Sequence, residues 1–169
     1  LVYEEKDETF RAFVYNSKSK AYIYFGSSST LTSEFSFLDA NNPYGKLKLI
    51  QPREKGLEYS VSHFEDKFYI TTNLNAINFR LMETPVNRTE KKYWKEVIPH
   101  REDVLLSGVE IFKDYLVVDE RQGGLKNLRV INLKTKEEHY LDFGEEVYSA
   151  WISINPEFNT NLLRYSYTS

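Results

Sequence analysis

Short runs of apolar and aromatic residues recur along the chain, each bounded by clusters of Asn, Ser, Asp, Lys and Gly. That is the signature of β-strands joined by turns. The segments Ala21-Tyr22-Ile23-Tyr24-Phe25, Lys67-Phe68-Tyr69-Ile70-Thr71, Asp114-Tyr115-Leu116-Val117-Val118 and Asn161-Leu162-Leu163-Arg164-Tyr165 look equivalent. With Tyr22, Phe68, Tyr115 and Leu162 aligned, their spacings are 46, 47 and 47 residues. A period of about 40 to 50 residues is the length of one four-stranded propeller blade.

The polar breaks around each repeat predict strands at 10–15, 21–25, 34–38 and 46–50 in a first blade and at 59–64, 67–72, 78–83 and 94–98 in a second. A third takes 106–112, 115–120, 128–133 and 139–143, and a fourth opens with 148–154 and 162–168 and is incomplete. The expected fold is all-β: about three and a half consecutive four-stranded antiparallel blades of a partial β-propeller domain over 1–169, with blades near 10–50, 59–98, 106–143 and from 148. First strands such as Leu105-Leu106-Ser107-Gly108-Val109-Glu110-Ile111-Phe112 are apolar on both faces, as for an inner strand packed between neighbouring blades. Last strands such as Lys46-Leu47-Lys48-Leu49 alternate, as at a solvated rim. In residues 89–97 the charges of Lys91, Lys92, Lys95 and Glu96 surround Tyr93 and Trp94 without a continuous apolar stripe, so this stretch reads as a loop entering a strand.

Composition narrows the function. Tyr (13) and Phe (11) outnumber Gly (7) and Pro (5), which suits pleated, half-buried surfaces. The 22 basic and 25 acidic residues leave a net charge of −3 and no broad field to hold nucleic acid or an anionic membrane. The absence of cysteine removes disulfides, thiolate metal sites and a Cys nucleophile, and fits a reducing compartment, the cytoplasm, with the periplasm as the second choice. No secretory leader is visible at the start, no apolar stretch approaches the roughly 20 residues that span a bilayer, and a chain without an initiator Met is expected to be a fragment. Blades that do not close a ring leave end faces uncovered; two copies of three and a half make seven, so the isolated segment is expected to self-associate.

Catalytic patterns are missing: there is no G-x-S-x-G elbow, no P-loop and no G-x-G-x-x-G. His63, His100 and His139 stand apart from one another, so no metal or cofactor is expected. His63, between Ser62 and Phe64 on a first strand, reads as a hydrogen-bonded core histidine rather than a ligand. His100 belongs to the charged turn Pro99-His100-Arg101-Glu102-Asp103. Asp119 and Glu120 are strand neighbours that point to opposite faces and so do not share a substrate. Glu120-Arg121-Gln122-Gly123-Gly124-Leu125 has two readings: a hairpin whose glycines accept positive φ, or a loop making an interdomain or ligand contact. The sequon Asn87-Arg88-Thr89 is read as accidental.

Several separated segments resemble, in order, the propeller domain of the oligopeptidase B group of the prolyl oligopeptidase family of serine peptidases. They are Leu1-Val2-Tyr3-Glu4-Glu5-Lys6-Asp7, Thr32-Ser33-Glu34 with Leu38-Asp39-Ala40, Leu116-Val117-Val118-Asp119-Glu120-Arg121-Gln122 and Leu163-Arg164-Tyr165-Ser166-Tyr167-Thr168-Ser169. The resemblance implies a parent with an α/β-hydrolase domain carrying a Ser-Asp-His triad, capped by a seven-bladed propeller, that cuts short peptides after Arg or Lys. It assigns this chain the later-middle blades, with the hydrolase domain and every catalytic residue outside it, so the segment alone is expected to be inactive. Its role would be to gate substrates by size, its partners the hydrolase domain and passing peptides.

In such blades the loops between second and third strands share a face with those joining one blade to the next. That face would display Arg53, Glu54, Arg101, Glu102, Asp103 and Arg121, next to Glu120, as candidate contacts with the hydrolase domain. Two other functions fit a propeller: a stand-alone scaffold for protein partners, which needs a complete ring, and a sugar- or lactone-processing propeller, which needs acids or histidines converging on a central channel.

Overall fold

A computed structural model describes residues 1–169. The chain forms fourteen strands and no α-helix, arranged as three four-stranded antiparallel sheets and one two-stranded sheet, each in sequential order. The first sheet holds β1 (Arg11–Asn16), β2 (Tyr22–Ser28), β3 (Ser33–Asp39) and β4 (Lys48–Gln51). The second holds β5 (Tyr59–Phe64), β6 (Lys67–Thr72), β7 (Arg80–Pro85) and β8 (Lys95–Ile98). The third holds β9 (Val104–Ile111), β10 (Tyr115–Gln122), β11 (Leu125–Asn132) and β12 (Glu138–Tyr140), and the last pairs β13 (Ser149–Ile152) with β14 (Tyr165–Thr168). These four-stranded meanders are propeller blades. Two compact units divide them: Leu1–Asn75 with Arg80–Pro99 carries the first two sheets, and Ala76–Phe79 with His100–Ser169 the rest.

Cross-strand register explains the core of the first unit. Tyr24 lies opposite Phe37, and Gly26 opposite both Phe13 and Phe35, so these side chains share one face of the first sheet. On the second sheet Phe68 lies opposite His63, and Ile70 opposite Val61 and Met82. The two faces pack on each other, with ring centroids 4.8 Å apart for Phe37 and Phe68 and 5.3 Å for Phe35 and Tyr59. Gly26 is required there: a Cβ would fall 2.2 Å from the Phe13 ring. Tyr59 also locks the sheets by hydrogen bonding. Where the β3–β4 ladder shifts register between Phe35 and Ser36, its hydroxyl accepts from the Phe35 N–H at 2.8 Å and donates to the Gln51 carbonyl at 2.7 Å. Both backbone groups would otherwise be buried without a partner. In the second unit Leu116, Val117, Val118 and Leu128 form the interior of the third sheet, and Ala150 of β13 is buried.

Three expectations need correction. β1 is not buried on both faces: all six residues are exposed, Val14 at 62%, whereas β5 and β9, edge strands like β1, bury part of their side chains. Residues 121–127 are not a loop; Arg121 pairs with Lys126 and Gln122 with Leu125, leaving a two-residue turn. Leu162 is not in a strand, because residues 155–164 form an irregular excursion pinned by Asn155, whose Nδ2 donates to the Arg164 carbonyl at 2.8 Å and whose Oδ1 accepts the Arg164 N–H at 2.7 Å. The run 89–97 is, as its pattern predicts, a loop entering a strand: it reaches β8 through a single 3-10 turn, Lys91–Tyr93.

Candidate functional site

In a sequential antiparallel meander, the loop after the second strand, the segment after the fourth and the segment before the first lie at the same end of the sheet. The candidate residues sit in those segments, and the structure sorts them into engaged and free.

In the first unit Arg53, just beyond β4, is engaged. Its Nη2 lies 2.7 Å from Glu5 Oε2 and 3.2 Å from Glu34 Oε1, its backbone N–H donates to Glu34 Oε2 at 2.9 Å, and its guanidinium stands 4.0 Å over the Phe10 ring. Glu5 also accepts from the Ser27 hydroxyl at 2.5 Å, from Tyr3 at 2.8 Å and from the Asp7 N–H at 3.0 Å. The Arg53 guanidinium, then Ser27 and the Asp7 N–H, hold the Glu5 carboxyl well below the usual carboxylate range. Glu54 pairs with Lys91 at 2.5 Å and accepts from Gln51 at 2.8 Å.

In the second unit Glu120 is not a surface group at all. It is 1% exposed and its carboxylate takes Arg101 Nη2, Arg129 Nη2 at 2.6 Å and the Tyr140 hydroxyl at 2.9 Å. Arg129 continues to Glu138 at 3.2 Å, so two guanidinium groups and two carboxylates balance in charge. Sequence reasoning missed this network because its members lie 9 to 20 positions apart and none is apolar. Asp119, on the opposite face, meets Lys126 at 3.8 Å, and burial raises its pKa. Arg101, anchored on Glu120, fixes the turn in which Glu102 and Asp103 are exposed; Asn78 Nδ2 donates to the Arg101 and Glu102 carbonyls, and Gln122 donates to Asp103 at 2.7 Å. Arg121 is exposed, makes no ion pair, and leads into Gly123 and Gly124 at φ 58° and 87°, the conformation of a type I′ hairpin.

The histidines do not converge. His63 Nδ1 lies 2.6 Å from Ser19 Oγ, but the ring is buried between Tyr22 and Phe68 edges, at 4.7 and 5.8 Å, and its Nε2 has no hydrogen-bond partner. A serine activated for attack needs a base oriented by a third group and open to substrate; this contact is packing. Burial lowers the His63 pKa. No group of three or more His, Asp or Glu side chains is placed to hold a metal ion, and no helix is long and apolar enough to cross a membrane.

Blades with this strand order, free of convergent catalytic groups, define a β-propeller class of domain. The sequence profile described as prolyl oligopeptidase, N-terminal beta-propeller domain, matches residues 1–169, and the chain belongs to that family. It is 39% identical over its full length to dipeptidyl aminopeptidase BI of Pseudoxanthomonas mexicana and 32% identical to protease 2 of Moraxella lacunata, covering 23% and 24% of those proteins. It superposes on oligopeptidase B from Trypanosoma brucei in its closed form, with covalently bound antipain, at a TM-score of 0.90 and 27% identity, over 99% of this chain and 25% of that one. The chain therefore spans about a quarter of the relatives it matches.

Proposed function

We propose that this chain is the non-catalytic propeller segment of a serine oligopeptidase that cuts short peptides after Arg or Lys, and that its blades admit substrates by size. The observation that carries the reading is the match to the propeller domain from residue 1 to 169, joined to its likeness to protease 2 and oligopeptidase B. The hydrolase domain would be the partner of the loop face, through the exposed members of the candidate set: Arg121, Glu102 and Asp103. Arg101 and Glu120 would act behind that surface by holding its loops, and Arg53 would hold the corresponding loops of the first unit. Ion pairs formed at such an exposed face are each worth about 0–1 kcal/mol, which suits a contact that opens and closes. The lack of cysteine supports a cytoplasmic setting.

The test is kinetic. In the full-length protein, Arg121→Glu is expected to change kcat/KM on an Arg-containing peptide by about threefold to fivefold while leaving thermal stability unaltered. Unchanged kinetics in Arg121→Glu and in a Glu102→Lys, Asp103→Lys double variant would remove the interdomain contact. A second reading is favoured by the higher identity to a dipeptidyl aminopeptidase: preference for substrates with a free amino terminus two residues from the cut, over amino-blocked Arg or Lys peptides, would select it.

A further inference from the structure

Leu31 and Ile77 lie 46 residues apart, the spacing that relates Tyr22 to Phe68. Each therefore holds the same position in the connection from the second to the third strand of its blade. Leu31 is 62% exposed and Ile77 85%, while the residue beside each, Thr32 or Ala76, is buried. In both loops the usual preference is inverted, with the smaller neighbour inside and the larger apolar group in water. The third blade has Gly124 at the matching place, 47 residues on, and closes its hairpin there without a side chain. The connection itself does not require an aliphatic residue.

Neither side chain sits on a loose loop. In the first unit the Ser29 N–H donates to the Thr32 carbonyl at 2.9 Å, Thr32 Oγ1 accepts the Gly56 N–H at 3.2 Å, and the Ser33 N–H donates to the Leu57 carbonyl at 3.0 Å. In the second unit the Phe79 N–H closes a turn on the Ala76 carbonyl at 2.9 Å, and the Asn78 carbonyl accepts the Leu106 N–H at 3.0 Å. Phe79 has φ 61°, a conformation that a bulky residue keeps only where its surroundings impose it. Asn78 Nδ2, 3.1 Å from the Arg101 carbonyl and 2.7 Å from that of Glu102, joins this turn to the one bearing Glu102 and Asp103. A single exposed aliphatic group is ordinary on a protein surface. The same kind of group, held firmly at the same repeat position in two blades, is a presented anchor.

Two aliphatic side chains offer far less than the roughly 1,200 Å² that separate molecules bury in a stable association. They suffice for a partner tethered in the same polypeptide, where effective concentration rather than buried area sets the balance. We propose that Leu31 and Ile77 are apolar anchors by which their loops dock on the hydrolase domain, with Glu102 and Asp103 in the charged rim next to the Ile77 turn. The inference rests on the peptidase reading of the parent and names side chains that hold its two domains together.

The test uses the full-length protein. Leu31→Asp and Ile77→Asp are each expected to shift small-angle X-ray scattering from a closed toward an open form. Each should also lower kcat/KM on a short Arg-containing peptide about fivefold to tenfold, the loss of one apolar anchor. The melting temperature should stay as in the parent, and Leu31→Met and Ile77→Val should keep the parent values. Tyr44→Asp, at an exposed residue on the other end of the first sheet, should change neither scattering nor turnover. Scattering and kcat/KM within twofold of the parent in both Asp variants would overturn the proposal, as would a parent that already scatters as an open form. A rise in KM confined to long peptides, with scattering unchanged, would assign the two side chains to substrate and overturn it as well. A parent that cleaves no Arg-containing peptide would instead sink the peptidase reading, and scattering of the Asp variants would still decide the anchors.

Discussion

His63 shows how one side chain brings pH into the packing of the first unit. Burial lowers its pKa below the ordinary 6.5, with the nearby Asp66 carboxylate acting the other way. The folded chain therefore binds this proton less readily than the unfolded one. Its contribution is full above the unfolded value and is lost as the pH falls from there through the lowered folded pKa. Urea unfolding of the parent and of His63→Gln at pH 7.5 and 5.5 should show a larger loss of stability on acidification in the parent. Equal losses would mean that the imidazole does not titrate across folding. This histidine was legible from sequence as a core residue, since its strand neighbours alternate around it. Glu120 was not: an acid followed by Arg121 looks like surface, and only the fold brings Arg101, Arg129 and Tyr140 to it. The Glu5–Arg53 contact, 48 residues apart, was hidden for the same reason.

Among the elements, β5 and β6 fall at the residues their pattern predicts, because Glu65-Asp66 separates the alternating run Tyr59–Phe64 from the apolar run that follows Lys67. The hairpin of β10 and β11 runs longer than expected, since Arg121, Gln122 and Lys126 look like loop yet pair across the ladder. Its turn makes a specific demand: Gly123 and Gly124 both have positive φ. Thermal unfolding should find Gly123→Asn nearly neutral and Gly124→Ala less stable by about 1 kcal/mol, the cost of a left-handed conformation with a Cβ. A neutral Gly124→Ala would place the turn in another conformation. β14 starts after the aligned Leu162 because the excursion held by Asn155 lengthens the connection; the polar run 155–161 reads as a turn, and only Leu162-Leu163-Arg164 carries a strand-like pattern where none forms.

For the whole molecule, the spacing of 46 and 47 residues carried the blade architecture, since a meander that buries one apolar face per strand must repeat its turns at a fixed interval. What a period cannot convey is which faces stay covered. On β1, Val14 remains 62% exposed on one face and Phe13 and Tyr15 40% and 39% on the other, and an open strand edge of this kind favours association. The isolated chain is accordingly expected to sediment as a dimer or larger at micromolar concentration; a monodisperse monomer would count against pairing through these faces.

The most direct measurement of the gating role is a comparison of two substrates with the full-length protein: a short Arg-containing peptide, and the same segment displayed on the surface of a folded protein. Passage limited by the blades predicts rapid cleavage of the free peptide and none of the displayed one. Comparable rates on both would contradict the account.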